Sequence, residues 1–185
     1  QAAAVALGLG SQVTIIDKSL PRLKHLEDQF NRQVSTRTST IMNIAEAVAE
    51  ADLVVGSVLI PGAKAPKLVT DEMVAAMRPG SVLVDIAVDQ GGCFENTRPT
   101  THDDPVFTVH DTLYYCVANM PGAVPETSTH ALVNATLPYV VALADKGWEG
   151  ALEDDESLAL GLNAHEGRLR HAAVAQAFPD LPANI

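Results

Sequence analysis

Short apolar runs that alternate with helical stretches constrain the fold of this 185-residue chain more than any other feature. Three of these runs are SQVTIID, ADLVVGSVLI and SVLVDIAV, and a stretch with helical character separates each from the next. Such alternation is typical of a parallel, doubly wound sheet with helices on both faces. Aromatic residues make up only 4% of the chain, so Ala, Val, Leu and Ile must form most of the core. The sequence therefore predicts an α/β fold with a buried parallel sheet.

Residues that begin and end helices mark the boundaries of this pattern. Ser19 and Thr70 are suited to N-cap positions, and Pro21 fits the first turn of the helix that follows Ser19. The segment 127–146 has the length and periodicity of one long helix, which Gly147 would end. We expect one or two strand runs within VFTVHDTLYYCVAN, and only shorter helices after the long helix.

Composition excludes several classes of function. The formal net charge of -11 argues against binding to nucleic acid or to an anionic membrane surface. No apolar run approaches the ~20 residues that span a bilayer, and the first residues do not resemble a signal peptide. Cys93 and Cys116 lack the spacing of a zinc site and are expected to be reduced thiols of a cytoplasmic protein. We therefore predict that the protein has no metal site and binds neither a membrane nor nucleic acid.

The segment DIAVDQGGC, at positions 85–93, is the strongest candidate for chemistry. The apolar run stops at Asp89, and Gly91 and Gly92 then allow the backbone to approach a ligand closely. Because ligands of parallel sheets bind just past the carboxyl ends of the strands, Asp89 could position a cofactor or move a proton. A turn-forming aspartate that caps the following loop is the structural alternative.

Asp17 ends the run SQVTIID and is a second candidate. An acid at the end of the second strand of a dinucleotide-binding unit accepts hydrogen bonds from ribose hydroxyls and disfavours a 2′-phosphate. The glycine-rich turn expected ~20 residues earlier does not occur, because the chain opens at Gln1 inside an apparent helix. The pattern alone therefore favours a ribose ligand and a plain turn residue equally. Lys64 and Lys67, in the loop PGAKAPK, are interpreted as solvated side chains.

Four separated segments resemble the alanine dehydrogenase family, which shares its architecture with the transhydrogenase α subunit and saccharopine-type dehydrogenases. They are ADLVVGSVLIPGAKAPKLV, RPGSVLVDIAVDQGGCFENTRPTTHDDPVF, YYCVANMPGAVPETSTHAL and NATLPYVVALADKGW. The pair DIAVDQGGCFE and VANMPGAVPETST favours alanine dehydrogenase over the other two. The resemblance implies an NAD-dependent amino-acid dehydrogenase that interconverts L-alanine and pyruvate, and a homohexamer.

The resemblance also implies positions that contact NAD, and it makes Asp89 the catalytic acid/base candidate. These positions are Asp17 at the ribose, Arg22 near the adenosine, Ser39 near the adenine, Val58 and Leu59 after the third family strand, Ile86 and Asp89 beside the nicotinamide, and Val117 and Met120 past the last strand.

By the same resemblance, residues 1–126 form an NAD-binding domain that lacks its first strand and its GxGxxG turn, and residues 127–185 form a crossing helix and the C-terminal part of a substrate domain. The family's catalytic lysine and histidine and its substrate-binding arginine would precede Gln1. We therefore expect the 185 residues alone to be inactive and to bind NAD weakly at best. The alternatives are a transhydrogenase-type subunit that binds NAD but no amino acid, and an inactive binding or structural fragment.

Overall fold

The structure of the chain is a computed structural model that describes residues 1–60 and 63–185. The chain divides into two compact units. The first contains residues 1–59 and 65–118, and the second consists mainly of residues 119–185.

The first unit alternates helices and strands along the chain. Its elements are α1 (Ala2–Gly8), β1 (Thr14–Asp17), α2 (Leu20–Gln29), β2 (Ser35–Thr38), α3 (Ile41–Glu50), β3 (Leu53–Gly56), α4 (Asp71–Ala75), β4 (Val82–Asp85), β5 (Val106–Val109) and β6 (Thr112–Tyr115).

Two sheets, in which parallel pairing predominates, form the first unit. Strands β1 and β2 make a parallel pair, and the other four strands lie in the order β3-β4-β6-β5. Strands β3, β4 and β6 are parallel to one another, and β5 is antiparallel to β6. The predicted α/β fold with mainly parallel strands is thus confirmed, and the carboxyl ends of neighbouring parallel strands lie at the same edge of each sheet.

Side-chain caps fix the beginnings of the connecting helices. The Ser19 hydroxyl accepts the Arg22 N–H at the start of α2, and the Thr70 hydroxyl accepts the Met73 N–H at the start of α4. Both predicted caps are confirmed. The Thr40 hydroxyl caps α3 in the same way. Because a cap satisfies an otherwise unpaired helical N–H, each stabilises its helix by ~1 kcal/mol.

The core of the first unit reaches into the loop that follows β4. Leu83 and Tyr114, on neighbouring strands, are completely buried, and Phe94 in the loop is 1% exposed. The rings of Phe94 and Tyr114 meet edge to face with centroids 6.1 Å apart, and Phe107 stacks on Tyr114 at 5.0 Å. The core therefore anchors the loop that contains the candidate Asp89.

Two predicted strands end earlier than their apolar runs suggested. Strand β3 ends at Gly56 rather than near Leu59, and β4 ends at Asp85 rather than at Val88. At Asp85 the carboxylate accepts the Ala87 N–H at 3.0 Å, which turns the chain away from the sheet. Asp89 therefore does not terminate the strand but lies in a 3-10 turn, Val88–Gln90.

The second unit is mostly helical. It contains a 3-10 turn (Met120–Ala123), α5 (Pro125–Asp154), α6 (Glu156–Ala159), a two-stranded hairpin of β7 (Ala164–His165) and β8 (Arg168–Leu169), and α7 (Ala172–Ala177). The predicted end of the long helix at Gly147 is confirmed, because Gly147 breaks α5 with φ 71° and ψ 171°. The expectation of helices alone after it was wrong, since it missed the hairpin. Among the described residues, no helix is long and apolar enough to cross a membrane.

Candidate ligand site at the carboxyl ends of the strands

Asp17 and Ser39 lie together at the carboxyl end of the β1–β2 pair. The Ser39 N–H donates to the Asp17 backbone carbonyl at 3.0 Å. One oxygen of the Asp17 carboxylate, Oδ1, accepts the Ser19 N–H at 2.7 Å. Its second oxygen accepts no hydrogen bond from the described residues. Asp17 thus acts as a turn residue through one oxygen and keeps the other available for a ligand hydroxyl.

Arg22 lies in the first turn of α2, three residues after its N-cap. Its backbone N–H donates to the Ser19 hydroxyl at 3.3 Å, and its side chain is exposed. The guanidinium forms no ion pair with any residue that the structure describes. A guanidinium without an ion-pair partner among the described residues is available to an anionic or aromatic group of a ligand.

The corresponding edge of the larger sheet presents apolar side chains to solvent. Leu59, after β3, is 66% exposed, and Ile86, after β4, is 49% exposed. Val58 is half-buried. The Ile86 N–H donates to the Gly56 carbonyl, so the main chain of Ile86 still pairs with β3 although its side chain is exposed. Exposed aliphatic side chains at the ends of parallel strands are suited to cover the flat face of a ring.

Val117 and Met120 differ from these positions. Val117 is only 1% exposed and belongs to the buried core, so it presents almost no surface to a ligand. Met120 is half-buried in the second unit, where it begins the 3-10 turn before α5. The preceding residue, Asn119, has a left-handed backbone with φ 57°.

Asp85 is a buried residue of this region that the sequence interpretation overlooked. Its side chain is completely buried, and Oδ2 accepts the Cys93 N–H at 2.9 Å, the Phe94 N–H at 3.4 Å and the Thr97 hydroxyl at 2.5 Å. Together with the Ala87 N–H on Oδ1, these bonds tie both ends of the loop 86–97 to the end of β4. An aspartate inside an otherwise apolar run, SVLVDIAV, was the available signal, because a buried carboxylate needs several donors.

The two cysteines are not nucleophiles. Burial, and next the charge of Asp85, raises the pKa of the Cys93 thiol to about 12. Burial also raises the pKa of Cys116. Both thiols are therefore protonated at neutral pH. In the part of the chain that the structure describes, no three His, Cys, Asp or Glu side chains are grouped so that they could hold a metal ion.

The chain is thus an α/β protein in which most candidate residues lie past the carboxyl ends of parallel strands, the place where ligands of such sheets bind. A family model, that of the C-terminal domain of alanine dehydrogenase/PNT, matches residues 1–172. The chain therefore belongs to the alanine dehydrogenase/PNT family, as the sequence predicted.

Individual relatives agree with this assignment. An alanine dehydrogenase of Halomonas elongata is 59% identical over 177 residues, which are 96% of this chain and 48% of the relative. A solved L-alanine dehydrogenase structure superposes with a TM-score of 0.82 at 54% identity, over 97% of this chain and 49% of that one. A transhydrogenase structure from Sinorhizobium meliloti gives 0.59 at 31% identity, over 69% and 36%. The chain thus spans about half the length of the curated relatives it matches.

Proposed function

We propose that this chain is part of an NAD-dependent L-alanine dehydrogenase, which oxidatively deaminates L-alanine to pyruvate and ammonia. The observation that carries the proposal is the exposed Asp89 on a braced turn at the carboxyl end of β4. Family membership and the matching alanine dehydrogenases support the choice of substrate. The activity, substrate and partners proposed here are those of the whole protein.

The residues present fit NAD as the cofactor. The second oxygen of the Asp17 carboxylate, Oδ2, would accept hydrogen bonds from the adenosine ribose hydroxyls. Arg22 and Ser39 would lie on either side of the adenosine. A carboxylate at that point repels a 2′-phosphate, which favours NAD over NADP. Val58, Leu59 and Ile86 would line the remaining path of the cofactor, whereas Val117 and Met120 stay predictions from the family resemblance.

NAD, when bound, supplies the acceptor for the hydride that leaves the alanine Cα. The resulting imine is then hydrolysed to pyruvate and ammonia. Asp89 is the only ionisable residue of its 3-10 turn, and its carboxylate has no hydrogen-bond partner among the described residues. It is therefore free to orient the amine of the substrate, and to take a proton from it or return one.

A transhydrogenase-type subunit, which binds NAD but no amino acid, is the second candidate. The transhydrogenase structure covers 69% of this chain, whereas the L-alanine dehydrogenase structure covers 97% at higher identity. That difference favours the dehydrogenase. An inactive binding or structural role is the third candidate. The division at residue 126, the homohexamer and the cytoplasmic location stay predictions from the family resemblance.

Steady-state assays of the full-length protein test the proposal. We expect NADH to form when L-alanine and NAD are both present, and little NADPH to form from NADP. Hydride transfer between NADH and an NADP analogue without any alanine requirement would instead favour the transhydrogenase type. Absence of both reactions would favour the third candidate, and calorimetric titration of the full-length protein with NAD would then distinguish a binding role from a structural one.

A further inference from the structure

The 3-10 turn that presents Asp89 is held through its main chain. The carboxylate of Asp89 is exposed and forms no hydrogen bond or ion pair with the described residues. Its position therefore depends on the backbone of residues 88–90. The turn closes on itself through the Gly91 N–H, which donates to Val88, and the Gly92 N–H, which donates to Ala87. Gly91 and Gly92 adopt positive φ of 90° and 70°, a conformation that favours glycine.

Two side chains of opposite charge brace this turn from outside it. The Asp85 carboxylate accepts N–H groups on both sides of the turn, from Ala87 before it and Cys93 after it. Lys67, in contrast, donates hydrogen bonds to main-chain carbonyls. Its ammonium donates to the Gly91 carbonyl at 2.6 Å and to the Phe94 carbonyl at 2.9 Å.

Lys67 lies 24 residues before Gly91, in a segment that runs alongside the loop. The Ala65 N–H donates to the Gln90 carbonyl at 2.9 Å, and the Leu68 N–H donates to the Cys93 carbonyl at 2.8 Å. The lysine therefore completes a series of bonds from residues 65–68 to residues 90–94. The hydrogen bonds of Lys67 differ from the main-chain bonds of this series, because hydrogen bonds from a charged donor are stronger than those from a neutral one.

We propose that Lys67 is a positioning residue that acts with Asp85 to fix the turn carrying Asp89. The proposal rests on the proposed function of Asp89. Lys67 does not touch the substrate; it sets where the Asp89 carboxylate stands. Because a displacement of about 1 Å can reduce turnover by roughly a hundredfold, releasing the Gly91 carbonyl should lower kcat.

The test uses the full-length protein and three lysine variants. We expect Lys67→Met to lower kcat about tenfold to a hundredfold while the Kd for NAD changes less than about threefold. Lys67→Arg keeps a charged donor that can reach two carbonyls and should recover most of kcat. Lys64→Met is the matched control, because Lys64 is exposed in the same loop and its side chain forms no hydrogen bond or ion pair with the described residues; it should leave kcat unchanged.

A double-mutant comparison shows whether Lys67 acts through Asp89. If it does, Lys67→Met combined with Asp89→Asn should turn over no more slowly than Asp89→Asn alone. Independent, multiplying losses would overturn the positioning role, and so would a Lys67→Met variant with the kcat of Lys64→Met. A different result, Asp89→Asn with wild-type turnover, would end the proposed role of Asp89 itself. Thermal unfolding of each variant verifies that the kcat values compare folded proteins.

Discussion

A methyl group added at Gly92 tests how tightly the loop after β4 is packed. An ideal Cβ at this position would overlap the Thr97 side chain and would lie 2.6 Å from Asp85 Oδ2. Gly92 also has a φ of +70°, which L side chains rarely adopt. Gly92→Ala therefore introduces both backbone strain and a steric clash beside the carboxylate that organises the loop.

The magnitude follows from these two costs. A left-handed conformation costs an alanine ~1–2 kcal/mol, which a less flexible unfolded chain offsets by ~0.4–1 kcal/mol. Overpacking of a tight site adds ~1–3 kcal/mol. We therefore expect Gly92→Ala to lower the free energy of unfolding by ~1–4.6 kcal/mol, with ~3 kcal/mol as the central value, a large share of the ~5–15 kcal/mol of a typical domain.

Alanine substitutions at two other glycines measure the backbone strain and the steric clash separately. Gly80 has a φ of +83° and nothing within 4 Å of an added Cβ, so Gly80→Ala should cost only the backbone strain, ~1 kcal/mol. Gly56 has no positive φ, but its Cβ would overlap Cys93 Sγ and lie 2.7 Å from Phe94, so Gly56→Ala measures the clash alone. Urea unfolding of the three variants in the same polypeptide provides the comparison. Equal losses for Gly92→Ala and Gly80→Ala would refute the packing argument.

Three further predictions concern the site. Asp17→Ser should weaken NAD binding by ~1.5–3 kcal/mol and relax the bias against NADP, measured by titration with both nucleotides; unchanged affinities would leave Asp17 a turn residue. Asp89→Asn should reduce kcat by about a hundredfold or more in steady-state assays without loss of folding. Because burial raises the pKa of Cys93 to about 12, iodoacetamide should label Cys93 slowly at pH 7–8; rapid labelling at neutral pH, located by mass spectrometry of the peptide that contains Cys93, would contradict the buried thiol.

The order of elements in the first unit could be predicted because each signal is local. β-branched runs, N-caps such as Ser19 and Thr70, and Gly147 at the helix break act within a few residues of themselves. The hairpin at residues 164–169 could not be predicted in this way. Its strands have two residues each, too few to show an alternating pattern.

The ends of β3 and β4 depend on contacts that are distant in sequence. Asp85 is bonded to Thr97, twelve residues away, and Gly56 is confined by Cys93 and Phe94. An apolar run does not indicate these distant partners, so the pattern of SVLVDIAV predicts a strand that continues to Val88. The same limitation applies to the candidate site. The sequence predicted which residues lie at the strand ends. It did not predict that Asp85 and Lys67 brace the Asp89 turn, because these bonds are seen only in the three-dimensional structure.

The register of the two sheets makes a last prediction about the edges of β1 and β3. The Val13 carbonyl accepts the N–H of Ser35, the first residue of β2, and the Asp17 carbonyl accepts the N–H of Ser39, just after β2. In a parallel pair, Thr14 and Ile16 therefore direct their backbone groups away from β2. By the same reasoning Leu53 and Val55 of β3 face away from β4. Among the described residues, no strand pairs with either of these edges. In the 185-residue chain the amides of these four residues should therefore exchange with solvent hydrogen faster than those of their neighbours in the same strands. Slow exchange at all four positions would show that the edges are covered and that this account of the sheets is wrong.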